Sequence, residues 1–165
     1  MTETRIGHGY DIHRFTDEFL RTKPLVLAGV ILPDELSLLA HSDGDLILHA
    51  LCDALLGAAG AGDIGQYFPD TDPNLAGVSS AKLLAQVMAL LARKNFLIGN
   101  IDITVIAQVP KLAPHRQSFL DSLSGLLNID ISRINIKATT TEGLGAIGNK
   151  EGIACHAVVL LVGKV

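Results

Sequence analysis

The sequence is short of large rings, cross-linking cysteines and blocks of one charge. Its 165 residues include no tryptophan, and aromatic side chains make up only 4% of them. The core must therefore be built from aliphatic residues together with alanine and glycine, whose small side chains let backbones approach closely. Two cysteines, Cys52 and Cys155, stand far apart without a CxxC pair. That excludes a disulfide framework and reads as two small core residues in a reducing, cytoplasmic setting. No apolar run reaches the roughly 18 residues of a membrane span, and residues 1–13 lack the regions of a secretory leader. A net charge of -4 without any lysine or arginine run excludes a long-range pull toward nucleic acid or an anionic membrane. Any anionic ligand must be held locally, by a metal, by loop amides or by single lysines. The length suits one domain over residues 1–165.

What is present concentrates in residues 41–73, HSDGDLILHALCDALLGAAGAGDIGQYFPDTDP. Leu46, Ile47, Leu48, Ala50, Leu51, Ala54, Leu55 and Ala58 recur with a helical period that stops among Gly57, Gly60 and Gly62, and Ser42 or Asp43 is the expected N-cap. Asp45, His49 and Asp53 recur every four residues, so one polar stripe runs down an otherwise apolar helix. Alone, His49 reads more readily as a hydrogen-bonded core histidine. A first strand, expected over residues 5–15, adds Asp11 and His13, two apart and therefore on one face. One carboxylate and two imidazoles are the ligand types of a catalytic Zn²⁺ site with its fourth position open, although an Asp-x-His pair also arises often by chance. His8 leaves the opposite face and reads as structural. The Ser42 hydroxyl beside a helix start favours an anion there, or simply caps the helix.

Further along, residues 25–28 and 30–32 suggest a short ribbon around Gly29, and a turn-rich loop over 62–73 carries Asp63, Asp70 and Asp72, which suit sugar hydroxyls or solvated turns alike. A helix is expected from Ser79 or Ser80 to Arg93, with no chemistry on it. A strand over 97–108 must stop at Pro110, freeing backbone groups for a flat polar ligand. A helix over 114–127 and a strand over 134–138 lead into Thr139, Thr140, Thr141 and Glu142. Three hydroxyls and a carboxylate at a strand end can meet phosphate oxygens and a hard divalent cation, or can form a solvated threonine-rich stretch. The closing strand over 152–162 is apolar on both faces from Val158 onward, so it must be central or covered. The order of elements predicts an α/β (α+β) chain with a single mixed β-sheet, helices on one face, and self-association covering the other.

Six motifs, RIGHGYDIHRF over residues 5–15, HSDGDLILHALCDALLGA over 41–58, GDIGQYFPDTDP over 62–73, IAQVPKL over 106–112, KATTTEGLG over 137–145 and EGIAC over 151–155, together resemble the 2-C-methyl-D-erythritol 2,4-cyclodiphosphate synthase family of the non-mevalonate isoprenoid pathway. The resemblance covers essentially the whole chain. It implies a chorismate mutase-like fold in a homotrimer whose sheets face the trimer axis, with active sites between subunits. It implies Asp11, His13 and His49 as zinc ligands, Glu142 as the ligand of a second ion, Mg²⁺ or Mn²⁺, and His41 and Thr140 as transition-state stabilisers. It places Ser42 beside the diphosphate of a cytidine diphosphate-linked substrate, Ala107, Pro110, Lys111, Leu112 and Ala113 around cytosine, Asp63 and Gly65 at the ribose, Phe68, Asp70 and Asp72 at the methylerythritol, and Thr139 and Thr141 among the substrate contacts. The implied reaction closes a cyclic diphosphate and releases CMP. A metal-dependent phosphohydrolase and a non-catalytic trimeric binding protein are the competing readings. The resemblance stops at Ala146 and Asn149, where many relatives carry an aromatic and an arginine that help hold an isoprenoid diphosphate on the trimer axis.

Overall fold

The computed structural model describes residues 3–69, 71–75 and 77–163. Four strands form one mixed sheet: β1 (Thr4–Arg14), β4 (Phe96–Ala107), β5 (Ile134–Thr139) and β6 (Gly152–Gly163), in the spatial order β1-β6-β4-β5. β6 pairs antiparallel with β1 and β4, and β4 pairs parallel with β5. It follows that β1, β4 and β5 all end at the same end of the sheet. The closing strand, apolar on both faces, is indeed central. A separate ribbon, β2 (Val26–Leu27) and β3 (Val30–Ile31), turns through Ala28 and Gly29 at φ 52° and 75°, the positive-φ pair that a two-residue hairpin needs.

Helix α1 (Leu46–Ala58) lies on β1 and β6, and α3 (Ser80–Arg93) packs outside it, with α4 (Arg116–Leu127) against β5. Ten of the 13 α1 residues are buried, as expected of a helix enclosed on nearly every side. Two one-turn helices, α2 (Ile64–Tyr67) and α5 (Gly145–Gly148), punctuate the loops. Leu48, Leu51, Leu55, Leu84, Phe119, Ile103, Val159 and Leu161 fill the space between helices and sheet. The predicted α4 starts two residues later than expected, because Ala113–His115 forms a separate 3-10 turn.

What sets the distance between α1 and the sheet is a pair of glycines. Along β1 the positions facing the helices are Arg5, Gly7, Gly9, Asp11 and His13. A Cβ on Gly9 would sit 1.9 Å from the Ala50 carbonyl oxygen, and one on Gly7 would sit 1.8 Å from that of Ala54. Helix backbone therefore rests directly on strand backbone, with nothing between them. Two and four residues beyond Gly9, Asp11 and His13 meet the side chain that leaves α1 next to Ala50, which is His49. Gly9→Ala is expected to cost about 1–3 kcal/mol or more by overpacking, read as a lower urea midpoint. Gly125→Ala on α4, where nothing lies within 4 Å of the new methyl, should leave stability unchanged or raise it by about 0.5–1 kcal/mol.

Candidate metal centre and substrate cleft

The end of β1 and the first turn of α1 bring three donors together. Asp11 Oδ2 lies 3.0 Å from His13 Nε2 and 3.0 Å from His49 Nδ1, and the two ring nitrogens are 3.4 Å apart. All three ligand atoms fall within 4.8 Å of one another. Donors on a tetrahedral ion with bonds of about 2.0–2.1 Å are spaced by roughly 3.3 Å, so these three atoms outline one face of such an ion. The electrostatics agree with the geometry. Burial works to raise the pKa of Asp11, but the hydrogen bonds and charges of His13 and His49 outweigh it and hold the carboxyl well below the usual range. Burial works to lower His49, and the Asp11 hydrogen bond and charge, with Asp45 and Asp43 behind it, raise it instead. This cluster favours positive charge at its centre.

The three residues line one end of a cavity of about 640 Å³ that also takes in His41, Ser42, Gly65, Phe68 and Asp72. Asp53 and Ile64 contribute to its wall, the Asp53 carboxylate accepting from the Ile64 amide at 3.0 Å and so tying α2 to α1. Asp63 stands beside this cavity as the N-cap of α2, accepting from the Gln66 amide and side chain at 3.0 Å each. Asp70 lies outside the described residues.

Two expectations about the start of α1 are corrected. The N-cap is Asp45, not Ser42 or Asp43. Its carboxylate accepts from Leu48 N at 3.2 Å and also from Ala28 N at 2.9 Å and Gly29 N at 2.6 Å, so one fully buried residue caps the helix and anchors the ribbon turn. Burial outweighs these three amides and pushes the carboxyl up to about 6. A protein carboxylate thus occupies this helix terminus. The predicted stripe accordingly divides, with Asp45 turned to the ribbon while His49 and Asp53 face the cavity. Ser42, four residues before the helix, directs its hydroxyl at His49 Nε2 at 3.2 Å. Ser80 Oγ lies nearer to the same nitrogen, at 2.8 Å, a contact that nothing in the helical pattern of residues 80–93 announces.

The remaining predicted residues gather at the other edge of the sheet. Thr139 ends β5, and Thr140, Thr141 and Glu142 form a turn in which Thr140 Oγ1 donates to Glu142 Oε1 at 3.4 Å, the Glu142 amide donates to Thr140 Oγ1 at 3.2 Å, and Glu142 adopts φ 53°. Ala107 ends β4, Pro110, Lys111, Leu112 and Ala113 follow it through a cis Val109–Pro110 bond, and Leu112 and Ala113 edge a second cavity of about 340 Å³ beside Arg116 and Lys137. In the same turn Gln108 Oε1 is buried without a hydrogen-bond partner among the described residues. It is a polar group that sequence reasoning passed over. The register fixes where the two groups stand: Asp11 pairs with Cys155, Cys155 with Val105, and Val105 with Ala138. One row of the sheet therefore carries the donor triad at one edge and the threonine cluster at the other, roughly 14 Å away at the spacing of neighbouring strands. A single chain does not bring the two together.

Fold and site define an α/β protein with a cation-seeking Asp–His–His cleft at a sheet edge. A model of the YgbB family matches residues 4–162. The chain is 54% identical to the 2-C-methyl-D-erythritol 2,4-cyclodiphosphate synthase of Azotobacter vinelandii over 158 residues, 96% of this chain and 98% of that one. It is 55% identical to the enzyme of the same name from Syntrophotalea carbinolica, over 95% of this chain and 93% of that one. Among solved structures it is similar to IspF of Plasmodium falciparum, a CDP complex, with TM-score 0.85 and 44% identity over 98% of this chain and 97% of that one. It is also similar to the bifunctional IspDF of Campylobacter jejuni, with TM-score 0.93 and 44% identity, spanning 99% of this chain and 43% of that longer one. The chain belongs to the YgbB family, whose curated members named here are 2-C-methyl-D-erythritol 2,4-cyclodiphosphate synthases.

Zinc or cobalt titration of the metal-stripped protein is expected to give one equivalent at the triad, lost in His49→Ala. Protons compete for the same nitrogens, and the Asp11 carboxylate raises the His49 pKa above its ordinary value, so affinity should fall as pH drops through that raised pKa. A pH-independent affinity, or full binding by His49→Ala, would refute the assignment.

Proposed function

We propose that this chain, as one domain over residues 1–165, converts 4-diphosphocytidyl-2-C-methyl-D-erythritol 2-phosphate to 2-C-methyl-D-erythritol 2,4-cyclodiphosphate and CMP. The observation that carries this reading is the triad, three donors at the spacing of a tetrahedral ion's ligand face, in a chain whose whole length follows the family. An oxygen of the 2-phosphate attacks the β-phosphorus of the same molecule. The bond from that phosphorus to the oxygen bridging it to the α-phosphorus breaks, and CMP leaves with that oxygen. No protein nucleophile is consumed, so the chain's work is to fold a polyanion on itself and to balance charge in the transition state.

Asp11, His13 and His49 would hold Zn²⁺, and Glu142 would hold Mg²⁺ or Mn²⁺ against the diphosphate. These ions, when bound, screen the repelling phosphates and polarise the phosphorus under attack. His41 and Thr140 stabilise the charge that develops on the phosphoryl oxygens, Ser42 donates to the diphosphate, and Thr139 and Thr141 supply further hydroxyls. Phe68, Asp70 and Asp72 take the methylerythritol, Asp63 and Gly65 the ribose, and the turn formed by Ala107, Pro110, Lys111, Leu112 and Ala113 the cytosine. Pairing an oriented nucleophile with its target within one molecule can supply about 7–11 kcal/mol of the barrier.

The separation of the two residue groups supports a second part of the proposal. The site is completed between copies in a homotrimer of chorismate mutase-like architecture, where the threonine edge of one subunit meets the Asp–His–His edge of the next. The sheet face away from the helices exposes Ile6, Tyr10, Ile12, Leu97 and Val158, a surface that copies turned toward a common axis would cover. Both cysteines are buried and unpaired, which supports a reducing, cytoplasmic setting. Among the described residues no helix is long and apolar enough to cross a membrane.

Phosphorus NMR of the turnover mixture should show the cyclic diphosphate with stoichiometric CMP. A linear bisphosphate instead would make the chain a phosphohydrolase. Glu142→Gln is expected to lower Mg²⁺-dependent turnover by about 10²-fold, the usual scale for losing one electrostatic group at the reacting phosphates, while zinc content stays at the parent value. Equal loss of both would refute the division of roles.

A further inference from the structure

We infer that Ser80 is a positioning residue for the metal ligand His49, fixing which ring nitrogen carries the hydrogen through a relay that ends on Asp43; the inference rests on the metal reading of the triad. Ser80 opens α3 and is fully buried. Its hydroxyl and its backbone amide both reach Asp43, the hydroxyl at Oδ1 through a short contact and the amide at Oδ2 over 2.9 Å. The same hydroxyl oxygen lies 2.8 Å from His49 Nε2.

Counting hydrogens decides the direction of this chain. Ser80 has one hydroxyl hydrogen, and an ionised carboxylate only accepts, so that hydrogen is committed to Asp43. The Ser80 oxygen can then only accept from the ring, and Nε2 must be the nitrogen that bears the hydrogen. With that hydrogen held on Nε2, Nδ1, which lies 3.0 Å from Asp11 Oδ2, is the nitrogen left to offer its lone pair when a cation takes the place of its hydrogen. Ser42 Oγ, at 3.2 Å from Nε2 and also accepting from the Gly44 amide at 3.2 Å, is a longer and shared acceptor for the same hydrogen. A histidine ligand whose other N–H is held in this way is oriented before the ion arrives, and loss of such a partner typically costs 10–100-fold in metal affinity.

The backbone tie to Asp43 does not depend on the serine side chain. Segment 41–43 is held against 77–80 by the Gly77 amide on the His41 carbonyl at 3.0 Å and by the Asp43 amide on the Val78 carbonyl at 3.3 Å, as well as by the Ser80 amide on Asp43. Ser80→Ala keeps all three bonds and should fold as the parent does.

The decisive comparison uses full-length parent, Ser80→Ala and Ser80→Thr, each stripped of metal and titrated with zinc, alongside urea unfolding of the metal-free forms. Ser80→Ala should bind zinc about 10–100-fold more weakly at an unchanged urea midpoint, and Ser80→Thr, which keeps the hydroxyl, should recover most of the loss. In the zinc-loaded parent, proton NMR should show a slowly exchanging His49 Nε2–H, absent from loaded Ser80→Ala. Unchanged zinc affinity and an unchanged imidazole N–H signal in Ser80→Ala would overturn the inference, because a merely structural serine predicts that result. A parent that binds no zinc would overturn the metal reading itself, a failure that the parent titration reports separately.

Discussion

Everything in the cleft depends on how closely α1 lies against β1. Without side chains at Gly7 and Gly9, the Ala50 and Ala54 carbonyls occupy the space that a methyl group would need. The helix can then sit at a fixed height and a fixed register along the strand. That register sets Asp11 and His13 opposite His49 at spacings suited to one ion. A one-residue slip along β1 would turn both ligands to the other face of the sheet, so the same contact that stabilises the core determines the site.

The acidic surroundings are less permissive than their composition suggests. Asp45 is committed to three backbone amides, Asp53 to the Ile64 amide, Asp63 to Gln66, and Asp43 to Ser80. Asp11 by contrast faces two imidazoles, and the pull of that pair on its carboxyl exceeds the opposing effect of burial. The other four carboxylates are thus held by amides and a hydroxyl, while Asp11, His13 and His49 line the cavity.

The sheet carries a second constraint. Its mixed order places the ends of β1, β4 and β5 at one level, which aligns the donor triad and the threonine cluster without letting them touch. Residues that the family resemblance implies stand at both edges, and the exposed apolar face between those edges faces away from the helices. The proposal that copies share the site rests on these two features.

Period and residue type were enough to read most elements from the sequence: the central helix, the outer helix to Arg93, the strand ending before Pro110 and the central closing strand all stand close to where their patterns put them. The residue types of the metal centre were legible too, because Asp-x-His on a strand and a histidine in an apolar helix are local features. Their convergence was implied by the family resemblance alone, since physically it rests on the absence of two Cβ atoms and on register across the sheet. The capping role of Asp45, the Ser80 contact with His49, and the distance between the triad and Thr139, Thr140 and Glu142 were not legible. Each of these depends on which hydrogen-bonding partner a polar group reaches first, and only the packed chain brings such partners within reach.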